Sequence, residues 1–267
     1  MAKRRPSKHG LLIDLDGVVY AGEDAIPGAP ETIAWLAEND VPRLFVTNTT
    51  SKPRAGIVAK LAALGIEVRE AEILTPPVAA AAWLRKRVVG RVALFVPPAT
   101  GAEFEGLAIA ARGEAAAAVV IGDYGEHWTF AELNGAFRLL MAEPQPVLVA
   151  LGMTRYWRAP DGLRLDTAPF VVALAHAAGV EPVVLGKPAP EFFAAALAEL
   201  GVDADHTWMI GDDIRADVEG AQDAGLHGML VKTGKFRAHD LEFGIRPDAA
   251  LDSIADLPDW WMTNARS

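Results

Sequence analysis

The chain has 267 residues, 51% of them hydrophobic and 22% charged, and a formal net charge of −10; this is a globular composition with room for one large domain or two ordinary ones. The acidic balance disfavours a general nucleic-acid surface or an anionic-membrane surface, both of which need basic patches, and no apolar run is long enough to span a bilayer. With no cysteine in the chain, disulfides, thiolate metal sites and a cysteine nucleophile are excluded, and a cytoplasmic protein is expected.

The basic start Lys3-Arg4-Arg5 with Lys8 reads as a solvated end, and no signal peptide is expected after it because Asp14 and Asp16 interrupt the next apolar run. The run Leu11-Leu12-Ile13-Asp14-Leu15-Asp16-Gly17 predicts a buried parallel strand ending in carboxylates and a turn. Strand alternation would aim Asp14 and Asp16 the same way, into the crevice where open α/β sheets bind ligands. Two anions there suit a hard divalent cation; a plain Asp-Gly surface turn is the alternative. Residues 18–28 predict a small hairpin or flap, and Pro30 opens a helix. Residues 41–46 predict a second buried strand, ending in Thr47-Asn48-Thr49-Thr50-Ser51. Ser51 or Thr50 can cap the following helix, with Pro53 in its first turn. That leaves Thr47 and Asn48 placed to hydrogen-bond an oxyanion.

From about Pro76 the pattern is an alanine-rich helix at 78–87, strands at 92–96, 117–121 and 147–151, and a helix behind the capping pattern Thr129-Phe130-Ala131-Glu132. This alternation is an α/β unit in its own right. It leads to the polar and aromatic stretch 154–162, where Arg155, Tyr156, Trp157 and Arg158 suit an anionic or aromatic leaving group; the competing reading is that the rings pack and the arginines are solvated. His127 and His176 read as structural. A strand at 181–185 meets Gly186-Lys187-Pro188, and Lys187 precedes a helix N-terminus, the wrong end for a cation unless it is solvated or aimed at a bound anion. Thr207 to Gly211 is again a buried strand ending in acids, Asp212 and Asp213, with Asp217 in the helix start that follows. If this strand lies beside the first, Asp14, Asp16 and Asp212 surround one cation site. A strand at 227–232, the turn Thr233-Gly234-Lys235 and a terminal Trp260-Trp261, for packing or for a partner, close the chain.

An anion pocket of Thr47, Asn48 and Lys187 beside a carboxylate-held cation is the equipment of phosphoryl transfer. An aspartate can accept the phosphoryl group covalently, and Asp16, two residues on, can carry the proton.

Asp14-Leu15-Asp16-Gly17-Val18-Val19-Tyr20, Thr47-Asn48, Gly186-Lys187-Pro188 and Gly211-Asp212-Asp213 with Asp217 resemble, in order and spacing, the four motifs of haloacid dehalogenase superfamily phosphatases. The insert between the second and third motifs resembles that of the NagD and nitrophenylphosphatase branch, subfamily IIA. Within the branch, Thr47-Asn48-Thr49-Thr50, Arg155-Tyr156, Asp161-Gly162-Leu163 and Lys232-Thr233-Gly234-Lys235-Phe236 are similar to the phospholysine phosphohistidine inorganic pyrophosphate phosphatase group. The resemblance implies an α/β fold: a Rossmann-like parallel-sheet core of residues 1–77 and 182–267, with a large inserted α/β cap at 78–181. It implies a Mg2+-dependent phosphatase acting on a small phosphorylated metabolite through an aspartyl-phosphate. Asp14 would be nucleophile and Mg2+ ligand, Asp16 the general acid/base and a ligand through its backbone carbonyl, and Asp212 the third protein ligand, supported by Asp213 and Asp217. Thr47 and Lys187 would hold phosphoryl oxygens and Asn48 would orient the site. The cap and the tryptophan tail offer surface for a homodimer. A non-catalytic phosphometabolite-binding protein on the same fold and a phosphomutase are the alternatives.

Overall fold

The structure, a computed structural model, describes residues 9–159 and 161–264, with the backbone alone for Arg158. The basic start Lys3-Arg4-Arg5 with Lys8 lies outside the described residues. In chain order the strands are β1 (Gly10–Asp14), β2 (Tyr20–Ala21), β3 (Asp24–Ala25), β4 (Arg43–Val46), β5 (Ile73–Leu74), β6 (Val92–Phe95), β7 (Ala118–Ile121), β8 (Val147–Ala150), β9 (Tyr156–Ala159), β10 (Gly162–Leu165), β11 (Val183–Val184), β12 (Thr207–Gly211), β13 (His227–Val231) and β14 (Ala249–Leu251). They divide between two compact units, one of Met1–Thr47, Arg54–Leu74 and Lys187–Ser267, the other of Asn48–Pro53 and Thr75–Gly186. Among the described residues no helix is long and apolar enough to cross a membrane.

The first unit is built on a six-stranded parallel sheet in the order β14-β13-β12-β1-β4-β5. The chain winds outward from β1 through β4 to β5, then resumes at β12 on the other side of β1. The order therefore reverses between β1 and β12, and such a reversal opens a crevice at the carboxyl ends of the two strands. β1 is central because its side chains are apolar on both faces. Leu11, Leu12 and Ile13 are fully buried, each burial stabilising the fold by about 1.5–3 kcal/mol. One face of the sheet packs Leu11, Ile13, Phe45, Ile210 and Met229 against Trp261. Trp260 meets Trp208 edge-on at 4.6 Å, so the terminal tryptophan pair packs its own unit. β2 and β3 form the expected small hairpin, pinned by Lys60, whose Nζ donates to Gly22 O at 2.6 Å and lies 4.0 Å over the Tyr20 ring.

The second unit holds the four-stranded parallel sheet β11-β8-β7-β6. Helices Phe130–Leu140 and Thr167–Ala178 cover it, the first capped by Thr129, whose Oγ1 accepts from Glu132 N at 3.2 Å. Trp128 stacks between Phe95 and Phe170, with ring centroids 5.5 and 5.0 Å away. The polar and aromatic stretch is an antiparallel hairpin, β9 with β10. Thr50 belongs here and not to a helix cap: its Oγ1 accepts from Asp123 N at 3.4 Å and its carbonyl accepts from Thr100 Oγ1 at 3.0 Å. The helix expected to start at Ser51 accordingly begins at Arg54.

Candidate active site

The strand alternation argument for the first carboxylate pair fails, because β1 stops at Asp14. The amides of Val18, Val19 and Tyr20 all donate to Leu15 O, so the chain has already turned. Asp14 is buried and Asp16 is exposed, beside Tyr20 in an isolated bridge. The second pair divides likewise. Asp212, one residue past β12, is fully buried, whereas Asp213 turns away and caps the short helix Ile214–Glu219, accepting from Arg215 N at 3.0 Å and Ala216 N at 2.9 Å. Because β12 pairs with β1, Asp14 and Asp212 end neighbouring strands. Asp217 completes the group, and carboxylate oxygens of Asp14, Asp212 and Asp217 lie within 4.8 Å of one another. Thr47 is buried directly after Val46, the residue in register with Asp14, and its amide donates to Leu74 O at 3.2 Å.

Lys187 provides the counter-charge. Its Nζ sits 2.9 Å from Asp14 Oδ1 and 2.6 Å from Asp217 Oδ1. Burial alone would favour the neutral amine, but the two carboxylates outweigh it and hold the ammonium protonated well above the usual lysine range. Asp217 is raised above the usual carboxylate range by burial, despite Lys187. Its second oxygen accepts from Asp213 N at 3.1 Å, so both of its oxygens are committed to protein donors. Asp212 differs. Burial, helped by Asp14, pushes its carboxyl up to about 6, against the Lys235 amide that donates to its Oδ2 at 2.6 Å, and its buried Oδ1 has no protein partner.

Buried carboxylate oxygens are costly without a partner, and the surroundings keep this one in place. A Cβ on Gly17 or Gly234 would overlap the Asp212 carboxylate, and both glycines have positive φ, +92° and +58°. The two turns are stitched together by Thr233 Oγ1, which donates to Gly17 O at 2.5 Å. This cradle with an open anionic oxygen fits a hard cation, and Asp14 and Asp212 are the carboxylates placed to hold it. The role of the Thr233-Gly234-Lys235 turn was not evident from the sequence, although its position one strand beyond β12 was a usable signal.

Other expected residues lie elsewhere. Asn48 is in the second unit, its Oδ1 near Gly186. Arg155 places its guanidinium 5.9 Å from the Tyr156 ring centroid, and both side chains are exposed. Trp157 lines a cavity of the second unit. Arg158 is paired through its backbone with Leu163. His127 is exposed beside Tyr124 and His176 is exposed on its helix.

A parallel sheet with a buried acid pair at its switch point is an α/β core with a candidate cation site, and comparison with known proteins gives its family. Residues 11–110 match the model for haloacid dehalogenase-like hydrolases and residues 184–257 a HAD-hydrolase-like model. A phospholysine phosphohistidine inorganic pyrophosphate phosphatase from Bos taurus is 38% identical over 268 aligned residues, 98% of this chain and 97% of the relative. The chain belongs to the haloacid dehalogenase-like hydrolases. Within them it is a phosphatase of the NagD and nitrophenylphosphatase branch, subfamily IIA. A p-nitrophenyl phosphatase from Archaeoglobus fulgidus superposes with a TM-score of 0.87 at 29% identity, covering 96% of this chain and all of that one. NagD from E. coli K-12, at 23% identity and a TM-score of 0.84, shares the fold, with 94% of this chain and 98% of that one covered.

Proposed function

We propose that the chain is a cytoplasmic, Mg2+-dependent phosphatase that hydrolyses a small phosphorylated metabolite through an aspartyl-phosphate on Asp14. The observation that carries this reading is the open, buried Asp212 Oδ1 beside Asp14 at the sheet's switch point. Asp14 Oδ attacks phosphorus as the bond to the leaving oxygen breaks, and Asp16, exposed at the mouth of the turn, gives that oxygen its proton. Asp16 then takes a proton from water, whose oxygen bonds to phosphorus and releases Asp14. Thr47 and Lys187 hold the phosphoryl oxygens. Lys187 already carries its charge in the absence of phosphate, and a bound phosphoryl group would compete with Asp14 and Asp217 for it. Asp14, the Asp16 carbonyl and Asp212 would hold Mg2+, with Asp213 and Asp217 as support; when bound, the ion would offset the charge of the phosphoryl oxygens.

The relatives' names make phosphomonoesters, inorganic pyrophosphate and phosphoamides the candidate substrates. The test is turnover of 4-nitrophenyl phosphate with Mg2+ and with chelator. Asp14→Asn should lower kcat by roughly a thousandfold or more while leaving the circular dichroism spectrum unchanged. Retained turnover in Asp14→Asn, or full activity in chelator, refutes the scheme.

A further inference from the structure

The second unit contains a cavity of about 590 Å3 with Tyr124, Trp157 and Phe170 in its walls and Asp123, Glu126 and Arg164 among its polar groups. A cavity of this size with aromatic walls and a few polar groups is the usual form of a small-molecule site. Its charges decide what it can take. Arg164 is already committed: it forks onto Asp161, Nε to Oδ1 at 3.1 Å and Nη2 to Oδ2 at 2.6 Å, and Nη1 reaches Glu126 at 3.4 Å. No other Lys or Arg lines the cavity among the described residues.

Asp123 accepts from the Gly125 amide and shares the field of Arg164 with Asp161 and Glu126, so three carboxylates of the cavity lie about one guanidinium. Asp123 is half-buried, and its neighbour Asp166 is also an acid, engaged in accepting from Thr167 N at 2.6 Å at the start of the next helix. Burial and Asp166 together push the Asp123 carboxyl above its usual range, against the Gly125 amide and Arg164. A carboxylate strained in this way is relieved by a cation, and the faces of Trp157, Tyr124 and Phe170 attract one too. Anionic ligands meet the opposite field in this cavity.

We propose that this cavity is a recognition site for a protonated amine, with the ammonium on Asp123 and its aliphatic or aromatic stem against Trp157, Tyr124 and Phe170. The amine is either part of the phosphorylated substrate itself, which rests on the phosphatase reading above, or a free amine bound as an effector, which does not.

Isothermal titration of the full chain with 2-phenylethylammonium, the neutral 2-phenylethanol and the anionic 3-phenylpropanoate tests it. The ammonium should bind saturably and about tenfold more tightly than the alcohol, the increment of a charge-assisted hydrogen bond. The carboxylate should not bind. Asp123→Asn should bring the ammonium down to the affinity of the alcohol, whose retained binding shows that the variant is folded; Trp157→Ala should weaken both. Equal binding of all three probes, no saturable ammonium binding, or ammonium binding unmoved by Asp123→Asn overturns the proposal. The source is then read from kinetics with O-phosphoethanolamine and its neutral analogue propyl phosphate. If the amine belongs to the substrate, Asp123→Asn lowers the ratio of their kcat/KM values about tenfold. If the amine is an effector, that ratio stays constant and 2-phenylethylammonium does not compete with either. Failure of the wild type to turn over any phosphate while still binding the ammonium sinks the phosphatase reading alone.

Discussion

Asp212→Asn should make the cation-free protein more stable while removing its response to Mg2+. The folded Asp212 carboxyl titrates at about 6 against an ordinary 3.8. Between about pH 4 and 6 the unfolded carboxyl therefore ionises while the buried one keeps its proton. The folded state binds more protons there, so stability falls as pH rises, and the whole decrement is in force above 6. At about 1.4 kcal/mol per unit the decrement is about 3 kcal/mol, or roughly 5 °C in Tm for a chain of this length. Asparagine carries no such penalty, and its carbonyl can still accept the Lys235 amide. In chelator at neutral to mildly alkaline pH the variant should melt about 5 °C above the wild type, the difference vanishing near pH 4. Millimolar Mg2+ should raise the Tm of the wild type and not of the variant. A variant that melts lower than the wild type in chelator at neutral pH, or one that Mg2+ stabilises equally, refutes the assignment of Asp212 as an open cation ligand.

Lys187→Met strands Asp14 and Asp217 without their shared counter-charge; denaturant unfolding should show a loss of about 3–5 kcal/mol, larger at alkaline than at acidic pH, where the acids can be protonated. Gly234→Ala and Gly22→Ala both place a side chain at positive φ, +58° and +61°, but only the first meets Asp212, the second facing open space. Gly22→Ala should cost about 1–2 kcal/mol from backbone strain, Gly234→Ala more, because its Cβ also overlaps Asp212 and the Gly17 backbone, and Gly234→Ala alone should lose the Mg2+-dependent rise in Tm. Lys60→Met unpins the β2–β3 hairpin beside Asp16; amide exchange at Tyr20 and Ile26 should quicken and kcat should fall with KM unchanged, whereas unaltered exchange would show that the lysine holds nothing.

Strands β1 and β12 were legible because each is a short aliphatic run closed by acids, the pattern of a buried strand meeting a polar crevice. Their adjacency put Asp14 and Asp212 together as expected. Strand alternation does not itself place Asp16, because β1 ends at Asp14 and a tight turn at Leu15 follows. The Lys235 contribution was hidden for another reason: it acts through its amide, and a backbone donor leaves no mark on residue type. The β9–β10 hairpin has short strands and β10 is largely exposed, so no apolar period betrayed it. The acid at Asp123 carried no motif, and its significance comes from Arg164 being spent on Asp161.

The segment boundaries bear on how this enzyme can diversify. The chain leaves the first unit for Asn48–Pro53, returns to it for Arg54–Leu74, and leaves again at Thr75 to re-enter at Lys187, so Lys187, proposed to grip the phosphoryl group, is itself the second seam of the large insertion. Wholesale exchange of Thr75–Gly186 would have to be spliced within one peptide bond of working chemistry at Lys187. Side-chain replacement inside the insert carries no such risk, which makes point substitution around the Asp123 cavity the accessible route by which a lineage with this core acquires new selectivity.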